Sequence, residues 1–153
     1  MENTLYTISY IIKNGTNFED LWFSSTSDEV LDDAEDEGGQ PFTGIAYEMY
    51  DTKNIVYFCH YKSGFKHGPY RQFYESGNLK SEEIMEYGQT KSFRKIWFED
   101  GKLQSLGEYE YGIELSYREW NPERQLIASK DIDKDGDMYE LLTVRRENAQ
   151  DRN

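Results

Sequence analysis

The sequence is short of cysteine, histidine, proline and positive charge, and each shortage excludes something. A single cysteine, Cys59, leaves no partner for an intrachain disulfide. That rules out a small disulfide-stapled scaffold and suits a reducing compartment, so a cytoplasmic location is expected. His60 and His67 are the only histidines. Cys59 and His60 are adjacent, so on a strand they point to opposite faces and do not form a nucleophile–base pair. No Gly-rich phosphate loop follows a strand, and no Gly-x-Ser-x-Gly elbow or Cys-x-x-Cys occurs. No catalytic residue, cofactor or metal ligand is therefore expected, and the protein reads as a non-enzyme. No window approaches the ~18 apolar residues of a membrane span. Lys13 interrupts the run Ile8–Ile12, and the N-terminus has no basic region, so no secretory leader is expected.

Basic residues number 17 against 30 acidic ones, a net charge of −13. Such a chain repels phosphate backbones and anionic membranes, which argues against a nucleic-acid partner and membrane insertion. It attracts basic proteins, chiefly by speeding their encounter. Aromatic residues are abundant instead: 13 Tyr, 8 Phe and 3 Trp. Disordered chains are poor in aromatics, so a folded, aromatic-rich β structure is favoured.

An internal period organises most of the chain. Gly64, Gly88, Gly112 and Gly136 are each 24 residues apart, and Gly77 and Gly101 share that step. Met49-Tyr50, Phe73-Tyr74 and Trp97-Phe98 follow the same period, as do Ile55, Leu79 and Leu103. The last unit slips, with Trp120 and Leu126 falling 23 residues after Trp97 and Leu103. Glu75-Ser76-Gly77-Asn78 and Glu99-Asp100-Gly101-Lys102 read as turns between strand-length runs such as Tyr70–Tyr74 and Leu79–Tyr87. Two turns per unit predict an all-β, elongated, twisted antiparallel meander of about four hairpin repeats, with roughly eight to eleven strands. Helices are disfavoured because glycine recurs every 11 to 13 residues.

The segment Tyr61-Lys62-Ser63-Gly64-Phe65-Lys66-His67-Gly68-Pro69-Tyr70 resembles a MORN repeat. The longer unit Gly68–Leu79 resembles the MORN-repeat variant of the YwqK-like family of antitoxins and immunity proteins. Pro41-Phe42-Thr43-Gly44 is similar to the opening of such arrays. Lys53, Ser92 and Arg124 depart from the glycines of the pattern. The resemblance implies a non-catalytic module that binds and neutralises a cognate toxin, here a basic, nuclease-like one. A scaffold or adaptor for protein assembly is the alternative, because a fold does not fix a function.

Four segments are expected: an N-terminal β-hairpin over 1–27, an acidic linker or short helix over 28–40, the array over 41–145, and a polar tail over 146–153. The hairpin rests on the strand-like run Leu5–Ile12, the Asn14-Gly15 turn and a return over Phe18–Phe23. Residues 1–43 hold 10 acidic and 1 basic residue, a net charge of −9. Thr26 and Glu29 suggest a capping box for a short helix ended by Gly38-Gly39, and a mobile acidic loop fits equally well. Asp28, Glu29, Asp32, Asp33, Glu35, Asp36 and Glu37 are the candidate docking strip, with Tyr70, Tyr74, Trp97 and Tyr117 as candidate aromatic contacts. Trp97 is expected to be enclosed by neighbouring strands. Asp131–Asp137 matches the start of an EF-hand loop, but Leu142 stands where its bidentate Glu is required. That string therefore reads as an acidic turn on the repeat glycine Gly136.

Overall fold

The 24-residue period becomes geometry through two kinds of turn that alternate along the chain. In the computed structural model, which describes residues 6–152, eight long strands follow one another. They are β4 (Gly44–Met49), β5 (Ile55–Lys62), β6 (Phe65–Phe73), β7 (Leu79–Glu86), β8 (Gln89–Trp97), β9 (Leu103–Glu110), β10 (Ile113–Trp120) and β11 (Leu126–Asp131). Each pairs antiparallel with the next. A short β1 (Thr16–Asn17) adds in parallel to the free edge of β4, completing a nine-stranded sheet. The expected all-β meander is what the chain forms.

The tight turns are Ser63-Gly64, Tyr87-Gly88 and Tyr111-Gly112. All six residues have positive φ, the signature of a two-residue type I′ hairpin whose twist suits the flanking strands. The wider turns run over residues 50–54, 74–78, 98–102 and 121–125, each closed by a pair of backbone hydrogen bonds such as Tyr74 N–H to Asn78 O and Gly77 N–H to Tyr74 O. Their left-handed position is held by Lys53, Gly77, Gly101 and Arg124. The two non-glycine members thus keep the turn and carry the strain. Across periods, Tyr50 Oη donates to the Phe73 carbonyl at 2.9 Å and Tyr74 Oη to the Trp97 carbonyl at 2.7 Å. Asn54 and Asn78 donate likewise to the carbonyls of Glu75 and Glu99.

The N-terminal segment departs from the expected hairpin. Residues 1–5, including Leu5 of the proposed strand, lie outside the described residues. Residues Ile8–Asn14 form a helix, α1. Thr7 caps it by accepting from Tyr10 N–H, and Ile11 is driven into the sheet against Ile45, Ile55 and Phe58. That burial overrides the strand preference of a run rich in β-branched residues. Asn14-Gly15 ends the helix, with Gly15 N–H donating to the Ile11 carbonyl. Asn17 then caps a 3-10 turn over Phe18–Asp20, and a two-stranded ribbon pairs β2 (Trp22–Phe23) with β3 (Val30–Leu31).

Residues 28–40 hold a two-residue strand and one short 3-10 turn rather than a continuous helix begun at Thr26. The Thr26/Glu29 box does not form, since Ser27 Oγ accepts from Glu29 N–H instead. Glu35–Glu37 make one 3-10 turn, stopped by Gly38 in the left-handed region. Val30 N–H donates to Gly64 O, Phe42 N–H to Val30 O and Gly64 N–H to Phe42 O, which laces the segment to the tip of β5–β6.

The C-terminal boundary also moves. Gly136 is not a repeat turn: its φ is −95° and it caps a helix, α2 (Asp137–Gln150), that spans the expected end of the array and most of the tail. Leu142 is fully buried. Arg146 grips Glu110 through two hydrogen bonds of 2.7 Å, and Arg145 donates to the Tyr111 carbonyl. These contacts hold α2 to the β9–β10 turn.

Cross-strand partners share a face of the sheet. One row, Ala46, Cys59, Tyr70, Glu83, Arg94, Gly107, Tyr117 and Lys130, defines the front. The front of the first strands is covered by Phe18, Leu21, Val30 and Phe42, and the back by α1. The N-terminal segment therefore clasps one end of the sheet on both faces and along its edge.

Candidate functional site

The clasp leaves a cavity of about 600 Å³ on the front, where residues 18–30 overhang β5–β8. One wall is a run of rings set edge to face: Phe23 to Phe18 at 5.7 Å, Phe18 to Tyr57 at 6.1 Å, and Tyr57 to Tyr70 at 5.8 Å. Tyr61 and Phe65 add to the lining, and Tyr87 stands at the rim on its type I′ turn. The Lys66 ammonium lies 4.1 Å from the centre of the Tyr70 ring. Asp28 supplies a carboxylate to the lining. Burial raises the pKa of Tyr57, Tyr61 and Tyr70, so all three phenols stay neutral hydrogen-bonding groups at physiological pH. Burial also pushes the Cys59 thiol up to about 12, which makes it an unreactive core group.

Beyond the cavity the front face turns polar. Glu83 is buried and accepts from Thr90 Oγ1 at 2.9 Å while pairing with Arg94 at 3.0 Å. Burial works against the charge on Arg94, but the hydrogen bond and charge of the Glu83 carboxylate prevail and raise the Arg94 pKa. The Arg94 guanidinium also lies 5.8 Å from the centre of the Tyr109 ring, and Tyr109 Oη donates to Glu114.

The acidic strip flanks this face. Glu35 accepts from Ser25 N–H and from the hydroxyl of Ser24, and its hydrogen bonds to Ser25 hold it below the ordinary carboxylate range. Asp32 accepts from Gln40 N–H and Asp33 from Ala34 N–H. Glu29 accepts from the Ser27 hydroxyl and packs its Cβ against Gly64. Among the described residues, none of Asp28, Glu29, Asp32, Asp33, Glu35, Asp36 and Glu37 forms a salt bridge. Their protein partners are N–H and hydroxyl donors rather than cations.

The four candidate aromatics do not assemble into one patch. Tyr70 lines the cavity. Tyr117 shares its row but stands four strands away, about 19 Å at the usual strand spacing, with its hydroxyl on Glu119. Tyr74 spends its hydroxyl on the Trp97 carbonyl. Trp97 takes the place of Phe73 one period on and, like Phe73, is half-buried rather than enclosed. Phe18, Phe23, Tyr57, Tyr61, Phe65, Lys66 and Tyr87 were not singled out from sequence. They come from separate segments, and only the pairing of β5 to β8 brings them together.

The string Asp131–Asp137 has no ligand set. Asp131 pairs with Arg118 at 2.7 Å, Asp133 accepts from Asp135 N–H, and Asp137 opens α2.

Fold and site define the class: an open antiparallel β-meander with an acidic flank and an aromatic cavity on one face. The chain is 49% identical over 147 residues to the protein named "Immunity protein YwqK" of Bacillus subtilis (strain 168), a match covering 96% of this chain and 95% of that relative. It belongs to the YwqK-like family of immunity proteins. No family model matches the chain, and no solved structure matches it.

Proposed function

We propose that this protein is a cytoplasmic immunity protein that binds a cognate bacterial toxin and neutralises it by occlusion, without chemistry of its own. The near full-length likeness to a protein named as an immunity protein carries this reading. The physical features agree with it. A chain of net charge −13, with a row of unpaired carboxylates on one flank, is suited to capture a basic partner. The thiol of Cys59 is buried, and its raised pKa keeps it protonated.

The test is co-expression with the product of the neighbouring reading frame, followed by binding kinetics at low and moderate salt. Wild type should protect cells and co-purify with that product. Converting Asp32, Asp33, Glu35 and Asp36 to their amides should slow association by about tenfold or more at low salt and flatten its salt dependence. Dissociation should change little. Absence of protection and of binding would remove the immunity reading. An unchanged association rate in the amide variant would remove the steering role of the strip.

A further inference from the structure

We infer that the front-face cavity is the socket for an arginine side chain of the basic protein partner; the identity of that partner as a toxin rests on the function proposed above. The lining has the chemistry for a cation with an apolar stem. The faces of aromatic rings carry negative electrostatic potential and attract ammonium and guanidinium groups. This chain already uses them that way, since Lys66 lies 4.1 Å from the Tyr70 centroid and Lys62 5.7 Å from that of Tyr87. Lys66 is the one basic residue in the lining, and its charge is already seated on Tyr70. Lys62 adds a second cation at the rim, over Tyr87, and against these two stand Asp28 in the lining and the six further carboxylates of the strip that follows it in the chain, so the charge of this flank still favours an incoming cation.

Size and exposure point the same way. A volume of about 600 Å³ lies within the range of about 300–1,000 Å³ for small-ligand sites, and it admits one long side chain with flanking backbone. Phe23 is 66% exposed and Tyr87 54%, so each still presents ring surface to solvent beside its neighbours, Phe18 at 5.7 Å from Phe23 and His67 at 4.7 Å from Tyr87. Large exposed aromatics around a concavity are the usual anchors of protein interfaces. Arginine suits better than lysine because its guanidinium is planar, stacks on rings and is more weakly hydrated. The location also selects a face: the strip and the cavity wall of Phe18, Phe23, Asp28 and Val30 come from the same segment, residues 18–37, and that wall lies on the front of the sheet.

Two measurements test the socket. The first is an NMR titration with the peptide acetyl-Gly-Arg-Gly-amide and its Glu counterpart, which needs no toxin. The Arg peptide should move the ring signals of Phe23, Tyr70 and Tyr87, and Asp28→Asn should weaken the effect; the Glu peptide should leave those signals in place. The second is the affinity for the neighbouring gene product. Phe23→Ala and Tyr87→Ala, both at exposed positions that leave the fold intact, should each lower it by about tenfold or more. Ile127→Ala, at the far edge of the sheet, should leave it unchanged. Ring signals that ignore the Arg peptide, or that answer both peptides alike, overturn the socket. So does a toxin that binds the two rim variants as tightly as wild type, and in that case the immunity reading stands without the socket. If no neighbouring product binds wild type but the Arg peptide docks as described, the socket stands and the immunity reading falls.

Discussion

Lys53 and Arg124 hold left-handed backbone, with φ of 71° and 64°, at the turn position that Gly77 and Gly101 fill in the other units. A side chain there costs roughly 1–2 kcal/mol, while glycine gives back part of that in unfolded-chain entropy. Lys53→Gly and Arg124→Gly should therefore each stabilise by about 0.5–1 kcal/mol, and Gly77→Ala should destabilise by about 1–2 kcal/mol. Urea unfolding decides it: midpoints that move the other way would show that the turns are not equivalent. His60 offers a pH-dependent case. Burial lowers its pKa from the ordinary 6.5, and its Nε2 is buried without a hydrogen bond. The unfolded chain takes up the proton near 6.5, whereas the folded one resists until lower pH, so stability is lost as pH falls through that interval. The carboxylates held below their usual range, Glu35, Asp100 and Glu110, lose their contribution only at still lower pH. His60→Gln should flatten the stability curve just below the ordinary histidine pKa of about 6.5, leaving the carboxylate limb at lower pH intact. A curve with the same slope in both proteins would assign the titration elsewhere.

At the level of elements, α1 packs on the back of the first strands, and α2 is tied to the turn between β9 and β10. Ile11 of α1 is 1% exposed, wedged against Ile45, Ile55 and Phe58. Ile11→Ala should cost about 2–5 kcal/mol and lower the melting temperature of the whole sheet, because the clasp touches both faces of the first hairpin. Leu142→Ala should act locally: amides of α2 should exchange faster while β5–β7 keep their protection. Loss of protection throughout would make α2 part of the same cooperative unit. How far each element was legible follows from the same physics. The meander was readable because its turns need positive φ and its columns repeat, so Gly64, Gly88 and Gly112 mark the hairpins directly. Helix α1 was not, because Ile8–Ile12 has a strand's composition and its helix is decided by the Thr7 cap and the burial of Ile11. Helix α2 was hidden for the opposite reason: Leu142 is its one buried side chain, Met138, Leu141 and Val144 are exposed, and no coherent apolar stripe betrays it. The acidic strip was legible as a run of charge. The cavity was not, since Phe23, Tyr57, Tyr70 and Tyr87 meet only through strand pairing.

Considered whole, the molecule joins a specialised N-terminal clasp to a repetitive sheet, and the repeats are interchangeable in register. Removing residues 78–101, one full 24-residue period, would join Gly77 to Lys102 within the same turn geometry. Strand β6 would then pair with β9 instead of β7, setting Phe73 opposite Leu103 and Tyr70 opposite Gly107, and Tyr74 Oη would meet the carbonyl one period on. The buried ion pair survives the surgery in the only safe way, because Glu83, Thr90 and Arg94 all leave together and none is stranded. The cavity would exchange Met85, Tyr87 and Gly88 for Tyr109, Tyr111 and Gly112. One mismatch arises: Arg71, paired with Glu82 at 2.6 Å, would face Leu106. The deletion should therefore fold as a seven-stranded sheet of lower stability with one cooperative melting transition, and adding Leu106→Glu should recover part of the loss by restoring the cross-strand pair. Deleting β7 alone should fail, since it reverses the direction of every later strand relative to the clasp. Circular dichroism and thermal melting of the three variants decide the matter: if the 24-residue deletion is unfolded, or if Leu106→Glu destabilises it further, the strands beyond β6 are individually fitted rather than modular.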